Sequence, residues 1–222
     1  SKMRNSNKII LDLCGGTGAW SEPYRKAGYI VHNITLPDYD ILETYPFDGM
    51  ATSSLEGHRG AGTSFRHLHF DGENKSLNID SAQVHGILAA PPCTEFSLAK
   101  NDKPRDFKKG MQIVRKCLEI IWHCRATGGN LKWWALENPR GFLRQFLGKP
   151  RYTFEGWYFG DNIKKPTDLW GYFNEPVKKR GVVRPEYPRK GKGSWANRAA
   201  GGHPKRSITP AGFAQAFFKV NK

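Results

Sequence analysis

The sequence predicts an α/β fold, doubly wound around a mostly parallel sheet. Three apolar runs of strand type, residues 8–13, 84–90 and 131–136, each end in turn-forming or polar residues. Residues 105–127, between the last two runs, have helical periodicity. Alternation of strands with helices is typical of βαβ units and of a parallel sheet. With 222 residues and a hydrophobic fraction of 38%, the chain can form one ordinary core.

The formal net charge of +15 indicates a polyanionic partner, nucleic acid first. The four cysteines form no paired framework, and no Cys/His spacing resembles a zinc site. We therefore expect no metal and a reducing, cytoplasmic setting. No run is long and apolar enough to span a membrane, and the N-terminus has no signal-peptide pattern, so we expect no membrane contact and a monomer.

The first strand leads directly into a glycine-rich turn, residues 14–20, and then into a helix predicted over residues 21–27. Ser21 is the predicted N-cap and Pro23 lies in the first turn. Strand, glycine turn and helix together can present backbone N–H groups to a nucleotide-like ligand. Asp12, at the end of the strand, can accept hydrogen bonds from an ammonium or ribose group.

A second strand is predicted over residues 29–36, with Asp38 and Asp40 after it. Asp40 lies about where a βαβ unit places a ribose- or adenine-binding carboxylate, the alternative being a solvated turn residue. Residues 43–83 show a poor pattern and are interpreted as a surface insertion without an assigned role.

The third strand ends at Pro91-Pro92, and Cys93 follows at once. Proline cannot continue a parallel ladder, so the backbone leaves the sheet there. Cys93 is then expected on a stiff turn at the carboxyl edge, where open α/β sheets bind ligands. The alternative is a small buried cysteine behind a core strand.

The helix predicted over residues 105–127 should turn one apolar stripe to the sheet. The members of that stripe are Phe107, Met111, Val114, Leu118 and Ile121, with Cys117 and Cys124 as further core positions. The next strand, residues 131–136, ends in Glu137-Asn138-Pro139. A right-handed crossover makes this strand a neighbour of the Cys93 strand, so both side chains should reach one edge.

Residues 149–206 interleave basic and aromatic side chains, as phosphate contacts and base stacking require. We predict a nucleic-acid surface there, with solvated loops over an aromatic cluster as the alternative. Its proposed phosphate-binding residues are Lys164, Lys165, Lys178, Lys179 and Arg180. The predicted division is a core over residues 1–148, this segment, and a C-terminal part over 207–222 whose helix carries Phe213, Phe217 and Phe218 for docking on the sheet.

Taken together, these stretches resemble the DNA cytosine-5 methyltransferases, in particular short phage-type members. Residues 12–19 are similar to the family's S-adenosylmethionine loop, and Pro92-Cys93 with Phe96-Ser97 to its nucleophile motif. Glu137-Asn138 resembles the Glu-Asn partner motif, and residues 207–214 the C-terminal motif beside the cofactor. The motifs occur in the family's order.

The resemblance implies a Rossmann-like fold, DNA as partner (double- or single-stranded), a flipped or single-stranded target base, and the host cytoplasm if the gene is phage-encoded. It also implies that Cys93 is the nucleophile and that Glu137 acts at N3 of cytosine. The implied residues around S-adenosylmethionine are Asp12, Cys14, Gly15, Gly16, Thr17, Gly18, Trp20, Asp40, Pro91, Arg206 and Ser207.

Several positions depart from the family pattern. Cys14 stands where an aromatic residue usually packs on adenine, Thr94 where glutamine follows the cysteine, and Pro139 where valine follows Glu-Asn. Arg206 replaces an asparagine, and its guanidinium suits a carboxylate, which makes carboxy-S-adenosylmethionine and carboxymethylcytosine an alternative donor and product. Further alternatives are a tRNA cytosine-5 methyltransferase, an amino-methyltransferase and a non-enzymatic DNA-binding protein.

Overall fold

A six-stranded mixed sheet forms the centre of the protein. The computed structural model describes residues 4–47, 65–100, 104–186 and 208–222. Its strands are β1 (Ile9–Leu13), β2 (Ile30–Ile34), β6 (Val84–Ala89), β7 (Trp133–Pro139), β8 (Tyr152–Phe154) and β9 (Thr167–Tyr172). Neighbours across the sheet follow the order β2-β1-β6-β7-β9-β8. The first four strands in this order are parallel, whereas β9 runs antiparallel to β7 and β8 antiparallel to β9. The predicted α/β class is therefore confirmed, and the sheet is compatible with a Rossmann-like fold.

Helix α2 (Phe107–His123) covers one face of the sheet. The Asp106 side chain caps it by accepting from the Lys109 amide at 2.9 Å. The helix ends in a π turn, Cys124–Gly128, followed by Gly129 at φ +71°. Its buried residues are Val114, Cys117, Ile120 and Ile121, and Phe107, Met111 and Leu118 pack at their margin. The predicted apolar stripe is thus confirmed, as are the core positions of both helix cysteines.

Two further helices cover the opposite face of the sheet: α1 (Glu22–Lys26) and α4 (Ala211–Val220). Phe213 and Phe217 of α4 are fully buried, which confirms the predicted docking of the C-terminal helix. The Tyr24 hydroxyl of α1 donates to the Asn221 carbonyl at 2.6 Å, so the chain's end is tied to its first helix. The short α3 (Arg144–Leu147) follows β7. Helices on both faces give the doubly wound arrangement.

The predicted insertion contains a second sheet of three antiparallel strands, β3 (Asp40–Phe47), β4 (His67–Asp71) and β5 (Ser76–Asp80). Leu68, Phe70 and Ile79 are buried in the cluster that contains α2. Our sequence analysis assigned no strand here, although residues 67–71 and 76–80 alternate polar and apolar side chains. That alternation is the mark of a strand with one solvated face.

The main sheet continues past residue 148, where the sequence analysis placed the end of the core. β9 pairs with β7 from Pro139↔Thr167 to Trp134↔Tyr172, and β8 pairs with β9. β9 and β8 thus cover the edge of β7. An apolar edge strand left unpaired would be a template for aggregation. Trp170 and Phe173, expected to stack on bases, are buried core residues instead. Among the described residues, no helix has the length and hydropathy to cross a membrane.

Candidate active site

The chain segments that leave β1, β6 and β7 lie side by side at the carboxyl edge of the sheet. The Ala90 amide donates to the Leu13 carbonyl at 2.9 Å, joining the exits of β6 and β1. The Asn138 side-chain amide donates to the Pro91 carbonyl at 3.1 Å, joining β7 to the turn before Cys93. The glycine turn, the Cys93 turn and Glu137 therefore occupy adjacent positions at this edge.

The glycine turn has a packed inner face and an open outer face. Gly16 and Gly18 have φ of +57° and +75°, and Cys14, a non-glycine residue, has φ +57°. A Cβ on Gly15 would overlap Asn33 and Asp12, whereas a Cβ on Gly16 would meet nothing within 4 Å. Gly16 and Thr17 are exposed. The outer face can accept a ligand against the backbone, as a cofactor loop requires.

Asp12 lies beneath this turn rather than on its surface. The side chain is fully buried, its Oδ2 accepts from the Ser21 hydroxyl at 2.5 Å, and its Oδ1 has no hydrogen-bond partner among the described residues. Burial raises the pKa of the carboxyl to about 6, against the lowering effects of Ser21 and Arg25. Asp12 thus lies beneath the turn, and its predicted contact with a cofactor stays a prediction. Ser21 makes no capping bond, because its hydroxyl is directed at Asp12 and the Gly18 carbonyl.

Three other predicted cofactor residues are placed differently from the expectation. Trp20 is 2% exposed and packs against Phe213 and Phe217, so it belongs to the aromatic core. The Cys14 side chain packs against the core on the α2 side, and both Cys14 and Cys117, whose thiol pKa it helps to raise, are free cysteines. Asp40 begins β3 of the second sheet, where it accepts from the Leu42 amide at 2.9 Å.

Cys93 is half-buried and opens a tight turn of backbone. Its carbonyl accepts from the amides of Phe96 at 2.9 Å and Ser97 at 2.8 Å. Phe96 is fully buried, and its own carbonyl accepts from the Phe142 amide at 2.9 Å. The Cys93 turn is thereby held against the segment that follows β7, just beyond Glu137 and Asn138. This agrees with the predicted stiff turn at the carboxyl edge.

Glu137 lies inside β7 rather than after it, since the strand continues to Pro139 through its pairing with β9. The parallel ladder with β6 does end one residue earlier, at Leu136. Burial raises the pKa of the Glu137 carboxyl, which the charge of Lys165 opposes and that of Asp168 reinforces. A carboxyl of this kind keeps its proton to a higher pH than an exposed one.

Lys165 is therefore a neighbour of Glu137, whereas the sequence analysis placed it on a phosphate-binding surface. The Arg140 amide donates to the Pro166 carbonyl at 2.9 Å, which holds the chain beside Lys165 against the end of β7. On the next strand, buried Asp168 receives two bonds from the Arg144 guanidinium, at 2.6 and 2.7 Å. This paired arrangement keeps β9 in register alongside Glu137.

The remaining predicted basic residues are only partly available to a phosphate. Lys179 and Arg180 are exposed and Lys164 is half-buried. The Lys178 ammonium lies over the Trp157 and Tyr158 rings, 4.1 and 4.5 Å from their centroids. Arg206 and Ser207 lie outside the described residues, so their predicted roles stay predictions. No cluster of three metal-ligating side chains occurs within the described ranges.

Sequence reasoning missed Asn33, whose side-chain amide donates to the Gly16 carbonyl at 2.9 Å and supports the glycine turn. It also missed that the Ser21 hydroxyl donates to Asp12 and that Lys165 is a neighbour of Glu137. The sequence signal that could have indicated Asn33 is a polar residue inside β2, the strand next to β1. Nothing local indicated Lys165, because its position depends on the antiparallel return of β9.

No protein-family model matches the chain, and no curated protein matches it.

Proposed function

We propose that the chain is an S-adenosylmethionine-dependent DNA cytosine-5 methyltransferase. The observation that carries the proposal is the meeting of three groups at one sheet edge. These are a glycine turn with an open outer face, a cysteine on a rigid turn, and a half-buried carboxyl whose pKa is raised. Attack on C6 of a cytosine and stabilisation of the resulting ring charge require such a pair.

The residues of the glycine turn fit a cofactor with an anionic or hydrogen-bonding tail. Gly16 and Thr17 offer exposed backbone, and Asn33 and buried Asp12 support the turn from beneath. S-adenosylmethionine, when bound, supplies an electrophilic methyl group. Carboxy-S-adenosylmethionine stays the alternative donor, resting on Arg206 alone.

Cys93 acts as the nucleophile. Its thiolate forms a bond to C6, and the electron pair of the C5–C6 double bond makes C5 nucleophilic. After C5 is methylated, loss of its proton and breaking of the sulfur–C6 bond restore the aromatic ring. The tight turn fixes the direction of Cys93, which reduces the reorganisation needed for attack.

Glu137 holds its carboxyl at N3 of the ring, where negative charge develops when the thiolate adds. Its raised pKa favours the protonated form, which can donate a hydrogen bond to N3. Lys165, beside it, limits that rise and adds a positive charge at the same edge. The chain's net charge of +15 and the exposed Lys179 and Arg180 favour DNA as the carrier of the base.

The test is incubation of the protein with S-adenosylmethionine and DNA containing 5-fluorocytosine. Fluorine at C5 cannot leave as a proton does, so a covalent protein–DNA adduct should accumulate and survive denaturation. Cys93→Ala should form none, whereas Cys124→Ala, which removes a buried thiol on the far end of α2, should form the wild-type amount. Methyl transfer to ordinary DNA by Cys93→Ala would exclude the covalent mechanism and favour an amino-methyltransferase. A second arm with tRNA as acceptor distinguishes the RNA alternative.

A further inference from the structure

The segment that joins β8 to β9 lies at the same sheet edge as Glu137. Phe154, the last residue of β8, and Pro139 of β7 both stand opposite Thr167, the first residue of β9. Residues 155–166 therefore project from the carboxyl edge, beyond the end of β7. The Lys179 amide donates to the Tyr158 carbonyl at 2.9 Å, which brings residues 178–186 alongside this segment.

Between these two stretches lies a groove of about 450 Å³, within the range of sites for small ligands. Its walls include the Trp157 ring, the apolar side chains of Val183 and Pro185, and the polar side chains of Asn162, Arg184 and Glu186. Val183 is 83% exposed, so its side chain is accessible to a ligand in the groove.

One carboxylate orients both principal walls of the groove. Glu155 accepts a hydrogen bond from the Trp157 indole N–H and forms an ion pair of 3.6 Å with Nε of Arg184. The Lys178 ammonium, over the indole at 4.1 Å, further fixes the ring. The Arg184 side chain is 64% exposed and meets Glu155 through Nε, so its two terminal nitrogens can serve a ligand as a planar donor pair.

We infer that this groove binds a guanine that flanks the target cytosine in DNA, an inference that rests on the proposed function. An indole face stacks on any base, and exposed Lys179 and Arg180 provide positive charge for the adjoining phosphates. Guanine alone offers two adjacent acceptors, O6 and N7, to the Arg184 donor pair. When it is unpaired, as in single-stranded DNA, guanine also offers two adjacent donors, N1–H and the 2-amino group, to the carboxylate of Glu186.

The experiment measures which cytosines are methylated in a pool of oligonucleotides that carry one cytosine between randomised neighbours. The wild-type protein should favour guanine at one flanking position, and Arg184→Gln should reduce that preference roughly 5- to 150-fold. Arg115→Gln, which alters a 78% exposed arginine on α2, should keep the wild-type preference. Replacing the preferred guanine by 7-deazaguanine, which lacks the N7 acceptor, should impair the wild type and leave Arg184→Gln unaffected.

A wild-type protein that forms the 5-fluorocytosine adduct but shows no guanine preference would overturn the inference and leave the proposed function intact. The same holds if Arg184→Gln keeps the full preference. Absence of any adduct or transfer with the wild type would refute the proposed function, and the inference with it.

Discussion

Replacing Asp12 by asparagine should stabilise the protein at neutral pH. The Asp12 carboxyl is fully buried; one oxygen is bonded to Ser21, and the other has no partner in the part of the chain that the structure describes. The same holds for the buried Asn33 side-chain oxygen, and both side chains would overlap a Cβ on Gly15. An amide at position 12 can still accept from Ser21 and can donate to the Asn33 oxygen. It also carries no charge that must be buried.

The size of the effect follows from the raised pKa of Asp12, from 3.8 to about 6. The folded state holds this proton more tightly than the unfolded chain, so the contribution of Asp12 to stability is highest below pH 3.8 and falls as pH rises through 6. Each pH unit of difference corresponds to about 1.36 kcal/mol, giving roughly 3 kcal/mol in all. About 2 kcal/mol of this lies between pH 4 and pH 7. The asparagine variant lacks this loss.

Urea unfolding of both proteins at several pH values between 4 and 8 measures this difference. The stability of Asp12→Asn minus that of wild type should increase with pH and level off above pH 6, whatever the constant effect of the amide. A difference that stays constant over this range would mean that the native carboxyl titrates normally, and would refute the argument. Asp38→Asn is the control: Lys75 lowers the pKa of Asp38 below 3.8, so the pH-dependent contribution of this carboxyl is complete just above that value, and the difference between this variant and wild type should stay nearly constant above pH 5.

Three further predictions concern the site and its supports. Glu137→Gln should lower the transfer rate about 100- to 10,000-fold without weakening cofactor binding, measured by single-turnover kinetics and calorimetry. Arg144→Met should cost about 3 kcal/mol in urea unfolding, because Asp168 would keep a buried charge without its guanidinium partner. Reversing Lys179 and Arg180 to glutamate should weaken DNA binding and make the slope of log affinity against log salt shallower by about 2.

Each of these predictions has an outcome that contradicts it. Wild-type transfer by Glu137→Gln would remove the carboxyl from the chemistry. Unchanged stability of the Arg144 variant would mean that the guanidinium makes no net contribution to the burial of Asp168. For the salt experiment, reversing Lys26 and Arg115, exposed at 76% and 78% on other parts of the surface, is the matched control. An equal effect of both charge reversals would mean that only net charge matters.

The sequence by itself predicted the elements whose signal is local. The first strand and its glycine turn, the Pro91-Pro92 exit before Cys93 and the apolar stripe of α2 depend on backbone restrictions and periodicity within about 20 residues. The C-terminal helix with Phe213 and Phe217 belongs with them. The adjacency of β6 and β7 also followed, since a right-handed crossover through α2 makes these two strands neighbours.

What only the tertiary structure decided was which polar groups face one another. Asp12 and Trp20 were expected at the cofactor. Both side chains are buried instead, Trp20 in the core that lies beneath α1 and α4. Lys165 and the groove at Trp157 reach the Glu137 edge only because β9 returns antiparallel to β7. β7 and β9 are about 30 residues apart in the sequence. Whether such strands pair depends on how well their whole faces are buried in the core, and no local pattern of residues encodes it.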